Sequence, residues 1–238
     1  MTRSMLVISA HAADFVWRAG GVVALHTSAG GAATVVSLSY GERGESGDLW
    51  REPGQTIENV RARRQEEAAR AADLLGAAFI GFDLGDYPLV MDEAATQQLV
   101  DVFLDTSPDV VLVHAPNDPF NPDHPVASAA SQRARLLAVG AGGAPAAFPT
   151  IRPPAMYAFE PHQPDQCDFK PDTFVDVTSA WDQKAEAMKS MVAQTFLREH
   201  YVVRAQQRAF QARYLGLGPE SNYVEAFQKL TPEKKEFL

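Results

Sequence analysis

The feature that most restricts this chain is an alternation. Apolar runs of strand length, "SMLVISA" (4–10), "ATVVSLS" (33–39), "AFIGF" (78–82) and "DVVLVHA" (109–115), are each followed by a segment of helical period, over 14–29, 58–75, 92–105 and 125–140. Strands joined through helices pair in parallel, and a parallel sheet needs helices over both of its faces. The expected fold is therefore α/β: three-layer, Rossmann-like, with a mostly parallel sheet.

The second half is less regular. A Gly/Pro/Ala-rich loop over 140–154 precedes the strands "AMYAFE" (155–160) and "TFVDV" (173–177), then helices over 179–193 and 198–215 and a short polar tail ending "TPEKKEFL". No repeat or low-complexity linker divides the chain, so residues 1–238 read as a single domain. The 30 acidic residues outweigh the 21 basic ones, and a net charge of −9 argues against nucleic acid or an anionic membrane as the main partner. One cysteine, Cys167, excludes an internal disulfide, and the first apolar run is too short for a signal peptide or a membrane span. A cytoplasmic protein acting on a small molecule is expected.

In open parallel sheets ligands bind beyond the carboxyl ends of the strands. Three loops there carry chemistry: His11 and Asp14 after the first run, "YGERGES" after the second, and "PNDPFNPDHP" after the fourth. His11, Asp14 and His124 make a set of three ligands with room for a fourth partner, as a catalytic zinc ion requires. The plainer alternative for each histidine is a hydrogen-bonded loop residue. Two histidines and a carboxylate also accept iron or manganese.

The stretches "AHAADF" (10–15), "GERGES" (41–46) and "NPDHPVA" (121–127) resemble the PIG-L/LmbE-like superfamily of zinc-dependent deacetylases, and the resemblance covers most of the chain. It implies one Zn2+ per chain on His11, Asp14 and His124. It also exposes departures. The deacetylase motif A-H-P-D-D-E puts its general base where Ala13 stands and a glutamate where Phe15 stands, and Asn121 replaces the first histidine of its H-P-D-H segment. The ligands are kept and the proton-handling neighbours are lost. This pattern is similar to one branch of the superfamily that adds water across the carbon–carbon double bond of an unsaturated oxo-tricarboxylate in gallate and protocatechuate breakdown. The competing readings are an N-deacetylase of an acetylated sugar with its base relocated to Glu45, and a metal-binding protein without catalysis.

Hydration of a conjugated alkene needs a base for water, a sink for the developing charge and an acid for carbon. Glu45 is the favoured base and Glu42 the second candidate, both in a loop with three glycines. His162 is a candidate for protonating carbon or holding a carboxylate, while Arg43 and Asn121 are the candidate substrate-binding residues. Arg18 and Arg51 are further possible cations for a tricarboxylate but read first as surface-helix or solvated-loop residues, and Phe15, Val16 and Trp17 as packing of the first helix. Trp50 reads as a core or interface residue. Tyr201, Phe210 and Tyr214 on the closing helix are candidates for the interface of a homo-oligomer, although packing within the chain meets the same periodicity.

Overall fold

The computed structural model describes residues 3–140 and 150–232, so 141–149 of the Gly/Pro/Ala loop and 233–238 of the polar tail lie outside the described residues. In chain order the elements are β1 (Ser4–Ser9), α1 (Asp14–Ser28), β2 (Ala32–Ser37), the single turn α2 (Gly47–Trp50), α3 (Ile57–Leu74), β3 (Ala78–Gly81) and α4 (Glu93–Thr106). There follow β4 (Val110–Val113), α5 (Asp123–Val139), β5 (Ala155–Phe159), β6 (Thr173–Asp176), α6 (Trp181–Ser190), α7 (Leu197–Arg213) and β7 (Val224–Lys229). Local chemistry sets several of the starts. Thr56 Oγ1 accepts from Asn59 N at 3.2 Å to cap α3, and Asp92 Oδ1 accepts from Ala95 N at 2.8 Å to cap α4.

The strands form one sheet in the order β3-β2-β1-β4-β5-β7-β6, with β3 through β5 mutually parallel and β7 antiparallel to both β5 and β6. β1 shows why both faces need cover. Met5 and Val7 point into the core shared with α1, α3, α6 and α7, whereas Leu6 and Ile8 point into the core shared with α4 and α5. The chain leaves β1 toward β2 and β3, then returns to lay β4 on the other side of β1. The switch point between β1 and β4 is therefore the crevice in which an open α/β sheet binds its ligand. Among the described residues no helix is long and apolar enough to cross a membrane.

The strand β7 is absent from the sequence expectation, which reads the segment after α7 as tail. Its residues "VEAFQK" alternate poorly, and Glu225 in their midst is 5% exposed. Burial is possible because Lys184 of α6, itself 1% exposed, meets Glu225 Oε1 at 2.7 Å. The pair enters the backbone of α1: Lys184 Nζ donates to Trp17 O at 2.9 Å, and Gly21 N and Val22 N donate to the Glu225 carboxylate oxygens at 2.8 Å each. Only glycine fits at 21, since a Cβ there would stand 2.8 Å from Val177 Cβ. Phe15, Val16 and Trp17 are buried as expected, and Tyr201 joins them, stacking on Trp17 with ring centroids 5.7 Å apart. That burial makes Tyr201 a packing residue within the chain, the second of its two expected roles; Phe210 and Tyr214 stay exposed.

Removing one partner of a buried ion pair leaves the other charge uncompensated. Glu225→Ala should lower unfolding stability by about 3–5 kcal/mol, and adding Lys184→Met should restore part of the loss. Denaturant unfolding of the single and double variants measures both; a double variant no better than Glu225→Ala would contradict the pairing.

Candidate metal centre

β1 ends at Ser9 and α1 begins at Asp14, so residues 10–13 must turn the chain within the core. The turn is closed by His11 N donating to Asp14 Oδ2 at 2.8 Å and Asp14 N donating to His11 O at 3.3 Å. Ala12 and Ala13 between them are 0% and 1% exposed, packed in the core of the α1 face. Asp14 occupies the first turn of α1, where the helix dipole favours a negative charge. Across the switch point the chain leaves β4 at Val113, passes His114 and Asp118, and enters α5 at Asp123 and His124.

His11, Asp14 and His124 are all buried, and one ligand atom from each lies within 4.8 Å of the others. His11 Nδ1 is 3.4 Å from Asp14 Oδ2, and His124 Nε2 is 3.6 Å from Asp14 Oδ1. Neither of these two ring nitrogens has a hydrogen-bond partner, although both are buried. Their opposite nitrogens are tied to carboxylates: His11 Nε2 to Asp123 Oδ2 at 3.1 Å, and His124 Nδ1 to Asp118 Oδ2 at 2.7 Å. Two imidazoles braced from behind by carboxylates, with their free nitrogens converging on a third carboxylate, are arranged as metal ligands are. The residues fit a divalent metal ion.

The electrostatics agree. Burial alone would raise the Asp14 carboxyl, but the surrounding imidazoles of His114, His124 and His11 hold it well below the usual carboxylate range. Burial, with the neighbouring His114 and Arg18, pushes His124 well below its ordinary value, which leaves the lone pair of its Nε2 available. At His11 burial pulls downward and is outweighed by the neighbouring carboxylates of Asp123 and Asp14, so its pKa rises to about 10.

Several residues of this centre are missing from the sequence reading. His114 accepts from Ala10 N at 2.9 Å through Nε2 and stacks on His124 with centroids 4.0 Å apart. Its place at the end of "DVVLVHA" was the available signal. Asp118 and Asp123 stand in the loop "PNDPFNPDHP", where the sequence alone gives them no role. Arg18 is corrected outright: expected in solvent, it is 3% exposed, with Nε 3.5 Å from Asp14 Oδ1, Nη1 donating to Glu160 O at 3.2 Å, and its guanidinium 5.8 Å from the Phe159 ring centroid. The spacing from Asp14 to Arg18 puts both on one helix face, and that face is the inner one. Arg51 is exposed and pairs with Asp48 at 3.0 Å, as a solvated residue does.

Beside the cage opens a cavity of about 270 Å³ whose lining includes Glu45, Tyr87, Asp118, Asn121, His162 and Gln194. The loop that brings Glu45 there bends at Gly41, with φ of 70°, and passes so close to the centre that a Cβ at 41 would stand 3.1 Å from His11 Cβ. Glu45 Oε1 accepts from Asn121 Nδ2 at 2.7 Å and from Tyr87 OH at 3.3 Å, while Oε2 accepts from Gln194 Nε2 at 2.7 Å. His162 Nδ1 lies 3.0 Å from Tyr201 OH, and burial, aided by the charge of Arg18, lowers its pKa to about 2.

The other two candidates from this loop do not line the cavity. Glu42 is buried against Arg61, whose Nη2 donates to Oε1 at 3.0 Å, and its backbone carbonyl accepts from Trp50 Nε1 at 2.6 Å. Arg43 is exposed, its Nη1 donating to Asp86 O at 3.1 Å.

Comparison with known proteins adds four findings. The sequence profile of the PIG-L family, described as GlcNAc-PI de-N-acetylase, matches residues 6–135. A protein of Pseudomonas putida KT2440 named 4-oxalmesaconate hydratase is 47% identical over 239 residues, covering 99% of this chain and 92% of that protein. The crystal structure of GalB, the 4-carboxy-2-hydroxymuconate hydratase of Pseudomonas putida KT2440, matches with a TM-score of 0.96 at 46% identity over 100% of both chains. The fold extends to the N,N'-diacetylchitobiose deacetylase of Pyrococcus horikoshii, with a TM-score of 0.77 at 19% identity over 96% of this chain and 84% of that one.

A protonated His11 and a metal ion compete for one site, so metal affinity should fall about tenfold for each pH unit below the His11 value of about 10 and flatten above it. Asp118→Asn should weaken the metal about 10- to 100-fold, and His124→Ala should abolish stoichiometric binding. Chelator competition across pH and elemental analysis are the measurements; full occupancy in His124→Ala would remove it from the ligand set.

Proposed function

Because the chain belongs to the PIG-L family, we propose that it uses the family's metal centre for hydration and not for amide hydrolysis, adding water across the C=C of 4-oxalomesaconate to give 4-carboxy-4-hydroxy-2-oxoadipate in gallate and protocatechuate catabolism. The observation that carries this reading is where the proton-accepting carboxylate sits. At position 13, beside the ligands, stands a buried methyl group that takes no proton, and Phe15 is equally buried. Glu45 instead presents its carboxylate to the cavity. Asp118 also borders the cavity, but it is committed to His124 at 2.7 Å. The two hydratase relatives, at 46–47% identity over nearly the whole chain, support the same reaction class.

His11, Asp14 and His124 would hold the metal, which we take to be zinc, and when bound it supplies Lewis acidity to substrate oxygens or lowers the pKa of water. Glu45 takes a proton from water as its oxygen adds to the alkene carbon. The C=C electrons move onto the conjugated carbonyl, and as they return the adjacent carbon takes up a proton while Glu45 gives up the one it accepted, directly or through water, so that one water is added and the carboxylate is restored. Asn121, Gln194 and Tyr87 orient Glu45 through the hydrogen bonds it accepts. His162 is neutral at any working pH and so offers a directed hydrogen bond and not a counter-charge. The fixed positive charge beside the centre is Arg18, next to Asp14, whereas Arg43 is held on Asp86. A cytoplasmic setting suits a chain whose one thiol, Cys167, is buried and unpaired.

The purified protein should consume the ultraviolet absorbance of the conjugated tricarboxylate and yield a product heavier by one water. Glu45→Gln should cut kcat on the order of 10²–10⁴-fold with KM near wild type. His162→Gln should slow turnover without moving either limb of the pH profile between pH 5 and 9, because a group with a pKa of about 2 does not titrate there. Ala13→Asp alone should not create efficient release of amine from N-acetyl sugars. Such release by the wild type at ordinary enzyme rates would overturn the hydratase assignment in favour of a deacetylase.

A further inference from the structure

Glu45 is held by a residue from the far half of the chain. Gln194 closes the single 3-10 turn Val192–Gln194 between α6 and α7, is 5% exposed, and edges the same cavity. Its Nε2 donates to Glu45 Oε2 at 2.7 Å. Its Oε1 accepts from Trp17 Nε1 and Arg64 Nη2, at 3.4 Å each. An indole N–H and a guanidinium can only donate, so the amide oxygen has to face them and the NH2 has to face Glu45. The reversed amide would set donor against donor on one side and oxygen against carboxylate oxygen on the other.

The groups behind the amide are themselves fixed. Arg64 is 0% exposed, with Nε donating to Tyr40 O at 3.1 Å and Nη1 to Glu67 Oε2 at 2.7 Å. Trp17 is buried against Tyr201. Asn121 works from the other side, its Oδ1 accepting from Asp123 N at 3.1 Å and its Nδ2 donating to Glu45 Oε1 at 2.7 Å.

We infer that Gln194 is a positioning residue for Glu45: it relays the fixed orientation of Arg64 and Trp17 to the carboxylate and aims it at the cavity. The inference rests on the reading of Glu45 as the base. A neutral amide suits this task for a chemical reason. A cation in direct contact favours the charged form of a carboxylate and weakens it as a base, whereas an amide fixes direction and adds no charge. Glu42, which does not line the cavity, is paired directly with Arg61. At Glu45 the arginine stands one residue further back, with Gln194 between.

The test uses Gln194→Glu and Gln194→Met, each alone and combined with Glu45→Gln. The Glu variant keeps an acceptor for Trp17 and Arg64 but replaces the donor to Glu45 with an oxygen and adds a negative charge there; the Met variant keeps the length, loses both hydrogen-bonding groups and adds no charge. Each single variant should lower kcat roughly 10- to 100-fold with KM and metal content near wild type. In the Glu45→Gln background neither should lower kcat further, because a residue that acts through Glu45 has nothing left to position. Wild-type kcat in both single variants, with Glu45→Gln inactive, would overturn the inference and leave the base standing. Equal losses in both backgrounds would make Gln194 a substrate contact and also overturn it. A fully active Glu45→Gln would remove the base and the inference together.

Discussion

The structure depends on accommodating one buried negative charge, the carboxylate of Asp14. An isolated ion of that kind in a core costs several kcal/mol even after relaxation, so its surroundings have to supply donors and positive charge from every side. They do. The backbone of His11 closes the turn onto it, His114 and His124 approach from β4 and α5, and Arg18 stands one helical turn along α1. These groups come from both sides of the place where strand order reverses, so satisfying Asp14 and building the cage are one act. The same contacts leave His11 Nδ1 and His124 Nε2 with no protein partner, which is the local cost of a site that a metal completes.

Carboxylates behind the two histidines give the cage its direction. Asp123 receives backbone N–H groups from Tyr87 and Leu89 as well as the His11 ring, and Asp118 fixes the His124 ring. Asp118 also borders the cavity, and Tyr87 stacks on His11 with centroids 5.9 Å apart while its hydroxyl reaches Glu45. The metal centre and the cavity share walls. On the proposed reading the proton acceptor stands on a cavity wall at Glu45, while position 13 beside the cage holds the buried methyl group of Ala13.

The second half of the chain secures this arrangement from the α1 side. Lys184 and Glu225 grip the backbone of α1 at Trp17, Gly21 and Val22, which fixes the helix that carries Asp14 and Arg18. Arg204 and Arg208 converge on Glu160, and Arg204 also donates to the His162 carbonyl at 3.1 Å, so the cavity-facing imidazole hangs from an ion-pair network on α7. Tyr201 of the same helix meets the His162 ring.

The alternation of apolar runs and helical segments determined the parallel sheet, its covered faces and the end of the sheet where chemistry resides, because each of those follows from period and order along the chain. That His11, Asp14 and His124 come together was legible for the same reason, since they stand in loops that the strand order places on one rim. Which of Glu45 and Glu42 faces the cavity required the fold, since a one-dimensional pattern does not record that Arg61 captures Glu42 while Asn121 and Gln194 hold Glu45. β7 was illegible because its burial depends on Lys184, 41 residues away. Arg18 looked solvated because a charge is placed inside only by partners the sequence does not list beside it, here Asp14 and the carbonyl of Glu160. Periodicity is a local property and fixes elements and their ends, whereas the pairing of buried charges is a property of contact and is decided only when the chain has folded.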